Sequence, residues 1–165
     1  MSLKRLRCFS RIFRQFHWLL IWGLLGCRGA MAATNTTNDS GLDLVSELGH
    51  VVYVDFWASW CGPCRQSFPW MNQMQQRYGG QGLVILAVNV DEQHEDALNF
   101  LQQHPAGFRV IYDPKGLLAS HYAIPGMPTT LVFDRKGQLV EQRSGFRIAD
   151  ESHYEQALQA ILTRP

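Results

Sequence analysis

The sequence predicts an α/β domain with a central mixed sheet and helices on both of its faces. Three observations predict it. Val51–Trp57 and Leu83–Val90 are runs rich in β-branched and aromatic residues, each followed by a stretch with helical periodicity. Two later apolar segments flank Asp134-Arg-Lys-Gly137 in the manner of a β-hairpin. The chain closes on an amphipathic stretch. With 46% hydrophobic residues in 165, there is material for one domain with a substantial core.

In chain order, Leu42, Leu44, Val45 and Leu48 suit a short helix stopped by Gly49. Val51–Trp57 reads as a fully buried central strand, because apolar residues occupy both of its faces. A helix follows from about Cys64 to Tyr78, ended by Gly79-Gly80, and Leu83–Val90 is a second buried strand. Residues 93–103 set Ala97, Leu98 and Leu101 on a polar background, the pattern of a surface helix. Phe108–Tyr112 is a short strand, Asp113-Pro-Lys-Gly116 a turn, and Gly116–Tyr122 one or two helical turns. Thr129–Phe133 and Gln138–Arg143 form the hairpin. Ser152–Leu162 is a helix with Tyr154, Leu158 and Ile161 turned inward. Early strands separated by helices pair in parallel, and the final hairpin is antiparallel.

Ahead of this domain (residues 42–165) lie a leader, 1–32, and a small, polar, flexible lead-in, 33–41. The leader holds six basic residues and no acidic ones, then the apolar run Trp18–Gly26, then Ala30-Met31-Ala32, a sequence suited to signal-peptide cleavage. Lipidation at Cys27, after Leu24-Leu-Gly, and retention as an uncleaved membrane anchor are the alternatives. Each of the three places the domain outside the bacterial cytoplasm, in the periplasm or on the extracytoplasmic face of the membrane. Membrane contact is then expected only through this N-terminal segment, where it is uncleaved or lipidated. The remaining residues carry nine basic and fourteen acidic groups with no basic cluster, which argues against nucleic acid as a partner.

Of the four cysteines, Cys8 and Cys27 lie in the leader, leaving Cys61 and Cys64 in the domain. Their loop is too small for a disulfide to stabilise the fold much, so chemistry is the better reason for the pair. Trp60-Cys61-Gly62-Pro63-Cys64 follows a buried strand and opens a helix. At that spacing the two sulfurs close a disulfide with little backbone movement. Unpaired N–H groups and the helix dipole favour a thiolate on the first cysteine. Cys61, the more exposed, is therefore the attacking sulfur, and Cys64, one turn into the helix, resolves the mixed disulfide. Pro63 suits the first turn, where its missing N–H costs nothing. A zinc site would need two further ligands, but the domain has no other cysteine and its histidines show no paired spacing.

Val54-Asp-Phe-Trp-Ala-Ser-Trp-Cys-Gly-Pro-Cys64 resembles the active-site segment of thioredoxins. The flanking features are similar to the exported branch typified by the TlpA and ResA proteins. Asp55 lies six residues before Cys61, where thioredoxins bury a carboxylate; Pro69 lies five after Cys64, where the family kinks its helix; Gly126-Met127-Pro128-Thr129 matches the cis-proline loop. The resemblance covers about 42–163 and implies a thioredoxin fold. The 37 residues from Asp91 to Pro128 add a helix–strand insertion before the cis-proline loop.

It further implies catalytic roles for Cys61, Cys64 and Asp55, whose burial would raise its pKa and let it exchange protons with Cys64. Trp60, Gly62, Pro63, Met127 and Pro128 would form the client-binding surface, with the Met127 backbone pairing with an extended client segment. Trp57 belongs to the core, and Gly145 matches a glycine where the client passes. No cofactor is implied beyond the redox-active Cys61–Cys64 disulfide. Implied partners are cysteine-containing exported proteins, such as apocytochromes c or copper-site assembly proteins, and an inner-membrane electron donor. The leading expectation is a disulfide reductase; an oxidant or isomerase, and a non-catalytic dithiol holding Cu(I), are the alternatives. A peroxidase would need a threonine ahead of its cysteine that is absent here.

Overall fold

The computed structural model describes residues 42–164. The expected leader and lead-in lie outside the described residues. Among the described residues, no helix is long and apolar enough to cross a membrane.

Five strands form one sheet in the order β3-β2-β1-β4-β5: β1 Val51–Trp57, β2 Leu83–Asn89, β3 Arg109–Tyr112, β4 Thr129–Phe133 and β5 Leu139–Ser144. β1 pairs in parallel with β2, and β2 with β3, whereas β4 is antiparallel to both β1 and β5. The helices are α1 Gly62–Tyr78, α2 His94–Gln103, α3 Leu117–His121 and α4 Glu151–Leu162. Element ends agree with the sequence reading to within about two residues, the usual uncertainty of helix and strand boundaries.

Alternation along β1 splits the core in two. Val51, Tyr53 and Trp57 join α1, α2 and α4 residues in one apolar cluster, while Val52, Val54 and Phe56 join Leu86, Val88, Leu131 and Phe133 in the other. Helices cover both faces, as β1's burial on both sides requires.

The expected helix over Leu42–Leu48 does not form. Residues 45–50 are turns and bends, with Asp43 accepting from the Ser46 N–H (3.2 Å) and the Ser46 hydroxyl donating to the Asp43 carbonyl (2.9 Å). Such local side-chain bonds compete with helical ones, and a single turn cannot offset the cost of helix nucleation. Gly49 leaves the segment at φ +92°, and Leu42 is buried against the second cluster.

The insertion packs as part of the fold. Phe100 of α2 stacks against Trp57 (ring centroids 4.7 Å) and Phe68 (4.9 Å), and Phe108 meets Phe68 at 5.3 Å. The Asn72 amide of α1 donates to the Pro105 carbonyl at 2.8 Å and its oxygen accepts from the Gly107 N–H at 2.6 Å. Gln75 bonds to Leu83 and Ile85 of β2, where that edge extends past β3. These ties hold α1 rigidly on the sheet.

Candidate active site

β1 delivers the chain to the start of α1 through a tight turn in which the Cys61 N–H donates to the Ala58 carbonyl at 3.1 Å. Cys61 then has extended backbone angles (φ −81°, ψ 108°) and caps α1, with Pro63 in the first turn. Its Sγ accepts from the Cys64 N–H at 3.2 Å. The cap position normally held by a serine or aspartate oxygen is thus held by sulfur. No acidic side chain sits in the first turn to oppose a negative charge on it. The two cysteines form a disulfide, with S–S 2.08 Å and Cα–Cα 5.3 Å.

The sequence reading makes Cys61 the more exposed sulfur. The order holds, but both residues are buried, at 3% and 0% exposure. In the disulfide both belong to the apolar cluster beneath α1, with Met127 packed against it. Around the pair, Trp60 is 69% exposed, and Gly62 and Pro63 are exposed too. Trp57 is fully buried, as read from its run.

The loop before Cys61 has an anchor that the sequence reading missed. Buried Asp91, just past β2, accepts from the Ser59 N–H (2.9 Å), the Ser59 hydroxyl (2.9 Å) and the Asn89 side-chain amide (2.7 Å). Only the three-dimensional return of β2 beside β1 brings Asp91 to Ser59, 32 residues away.

Met127 of the Gly126–Thr129 loop packs against the cluster that holds the cysteine pair. The Met127–Pro128 bond is cis, in accord with the family pattern. The Thr129 hydroxyl donates to the Gly126 carbonyl at 2.7 Å, and the Gly145 N–H donates to the Pro128 carbonyl at 2.8 Å, continuing the β4–β5 ladder. Pro128 is buried and Met127 half-buried. Gly145 turns at φ +81° with open space where a Cβ would stand.

Asp55 is 1% exposed in the middle of β1 and shares with Tyr53 and Trp57 the face that α1 covers. Burial pushes its carboxyl up to about 7, against the opposing pull of the Thr130 hydroxyl and the Arg143 guanidinium. Its Oδ1 accepts from Thr130 Oγ1 at 3.0 Å, while Oδ2 is buried without a partner. A carboxyl that titrates near neutrality inside a protein is poised for proton exchange.

Residues 30–158 match the Redoxin family. A Chlorobium tepidum crystal structure, described as that of a candidate thiol:disulfide interchange protein DsbE, is 53% identical with a TM-score of 0.70, covering 72% of this chain and 84% of its own. The exposed lipoprotein thioredoxin Etrx1 of Streptococcus pneumoniae superposes with a TM-score of 0.62 at 28% identity, covering 71% of this chain and 89% of its own. The thiol-disulfide oxidoreductase ResA of Bacillus subtilis is 31% identical over 109 residues, 66% of this chain and 61% of the relative. The chain thus spans about three fifths of the length of the ResA proteins it matches. Sheet order, cysteine-capped helix and matched span agree: the chain belongs to the Redoxin family, as a TlpA/ResA-like member of the thioredoxin superfamily.

Proposed function

We propose that the chain is a thiol–disulfide oxidoreductase that reduces disulfides of proteins outside the cytoplasm. The observation that carries this reading is the Cys64 N–H aimed at Cys61 Sγ at the start of a helix whose first turn is free of acidic residues. That arrangement stabilises a Cys61 thiolate once the pair is reduced.

The thiolate attacks one sulfur of a client disulfide, forming a mixed disulfide and releasing one client thiolate. Asp55 accepts the Cys64 proton, and the Cys64 thiolate attacks Cys61 Sγ. The second client thiolate leaves, so the client gains two electrons and the Cys61–Cys64 pair loses two. Exposed Trp60, Gly62 and Pro63, with the Met127–Pro128 segment opposite, offer the surface on which an extended client lies. A dithiol donor at the inner membrane restores the pair, which an oxidising compartment would otherwise keep closed. Support for an extracytoplasmic location comes from the basic-then-apolar leader, and from the pneumococcal relative, itself named an exposed lipoprotein. Apocytochromes c and copper-site assembly proteins are the clients to try first.

The reduction potential of the pair, measured by equilibration with defined thiol buffers, tests the direction. We expect a value near roughly −250 mV or lower. A value above roughly −180 mV assigns the chain to oxidants or isomerases instead. Cys61→Ala is expected to abolish reduction of insulin; a variant that retained it would refute the mechanism.

A further inference from the structure

Asp55 does not stand alone in the sheet. The register places Ala87 of β2, Asp55 of β1, Thr130 of β4 and Arg143 of β5 in one row across four strands. Thr130 Oγ1 donates to Asp55 Oδ1 at 3.0 Å, the Tyr53 hydroxyl lies 3.1 Å from Thr130 Oγ1, and an Arg143 terminal nitrogen donates to Tyr53 Oη at 3.2 Å. With Asp55 ionised, proton counting fixes the direction of every link. A hydroxyl carries one hydrogen. Thr130 spends its hydrogen on Asp55, so it must accept from Tyr53, and Tyr53 in turn accepts from Arg143, which has only donors.

The chain therefore runs one way, Arg143 to Tyr53 to Thr130 to Asp55. Burial above all, and then the Asp55 charge, pushes the Tyr53 phenol well above its ordinary range, so it stays a donor. Arg143 is itself held in place: Glu141 accepts from it at 2.6 Å, and its guanidinium lies 3.9 Å from the Tyr154 ring centroid. At the far end, Oδ1 is committed as an acceptor and Oδ2 is the buried atom without a partner.

We propose that Arg143, acting through the Tyr53 and Thr130 hydroxyls, is a positioning residue that keeps Asp55 ionisable within the sheet and directs proton exchange with Cys64 to Oδ2. This rests on the reading of Asp55 as the proton acceptor. Of the other elements packed on this face, β2 brings the uncharged Ala87, α1 turns in the cysteine pair and Tyr78, and α4 turns in Tyr154. Arg143 is thus the cation on which the chain to Asp55 ends, and Glu141, its neighbour on β5, is the carboxylate that pairs with it.

The test is the titration of the Asp55 carboxyl, followed by carbon-13 NMR in the full-length oxidised chain and identified by its loss in Asp55→Asn. Arg143→Met keeps an unbranched apolar side chain at the position and removes the charge; the Asp55 midpoint is expected to rise by roughly one pH unit. Tyr53→Phe cuts the chain in its middle and is expected to move the midpoint the same way by less. Combined, the two are expected to add little to Arg143→Met alone, since they break one path. A folded Arg143→Met protein with the wild-type midpoint overturns the proposal. Should Arg143→Met not fold, Tyr53→Phe decides, an unchanged midpoint again overturning it. The parent reading fails separately: Asp55→Asn would then resolve mixed disulfides at the wild-type rate, whatever the titrations show.

Discussion

At the scale of single residues, the asymmetry between the two cysteines is set by what each atom faces. Cys61 Sγ receives a backbone N–H, which favours its thiolate, whereas Cys64 is fully buried in an apolar cluster that penalises charge. Cys64 cannot resolve a mixed disulfide until its proton has gone elsewhere, and Asp55, titrating at about 7, is a suitable acceptor near neutral pH. Asp55→Asn is accordingly expected to slow resolution about 100-fold at pH 7, so that the Cys61 mixed disulfide accumulates on acid-quenched gels. The deficit should shrink toward pH 9, where hydroxide can deprotonate a thiol unaided. A deficit of the same size at every pH would mean that the substitution acts by distorting the strand and not by removing a base. Cys64→Ala should trap the same intermediate at all pH values, which separates loss of the attacking sulfur from loss of its base.

At the scale of elements, the helix–strand insertion and the loop after β2 make the active-site turn rigid. Phe100 of α2 is 5% exposed and fills the space behind Trp57 and Phe68, so Phe100→Ala is expected to cost about 3–5 kcal/mol in urea unfolding. Asp91→Ala removes the acceptor for three donors and leaves the Asn89 amide and Ser59 N–H unpaired. A loss of about 3 kcal/mol is expected, with slower attack by Cys61 because its loop is slack. Asp91→Asn keeps one carbonyl acceptor and should lose less on both counts; equal losses would show that charge, and not anchoring, is what matters there. The elements themselves are legible because buried strands and amphipathic helices write their periods into the sequence. Val51–Trp57 and the inward set Tyr154, Leu158 and Ile161 stand where that periodicity puts them. The segment from Leu42 to Leu48 misleads because four apolar residues at helical spacing outweigh, on paper, the local Asp43–Ser46 bonds. Cys61 and Cys64 are legible as a local motif, and Asp55 and Met127-Pro128 through family resemblance. Asp91, Thr130 and Arg143 are not, since their partners are set by strand register across 32 to 90 residues of chain.

At the scale of the whole molecule, a carboxyl buried inside the sheet weighs on folding. In the unfolded chain Asp55 ionises at its ordinary 3.8, in the folded chain at about 7. Between these values the folded state holds a proton that the unfolded state has released, so stability falls as pH rises from about 4 to about 7, and is flat beyond that for this group. At about 1.4 kcal/mol per pH unit, the accumulated cost approaches roughly 4 kcal/mol above neutrality. Glu155 has the opposite sign: the Tyr78 hydroxyl and then Arg77 hold it below the usual glutamate range, so its contribution is present above that range and lost in acid. The two windows adjoin at the acid end of the Asp55 window, which leaves the neutral range to Asp55. Urea unfolding of the oxidised chain should therefore show a midpoint that declines from about pH 4 to about pH 7 and levels off above. The Asp55→Asn variant should show a nearly level one, its unfolding free energy matching wild type near pH 4 and exceeding it by a few kcal/mol at about pH 8. Parallel profiles for the two proteins would mean that Asp55 ionises in the fold as freely as in water, and its assignment as the buried proton acceptor would go with that result.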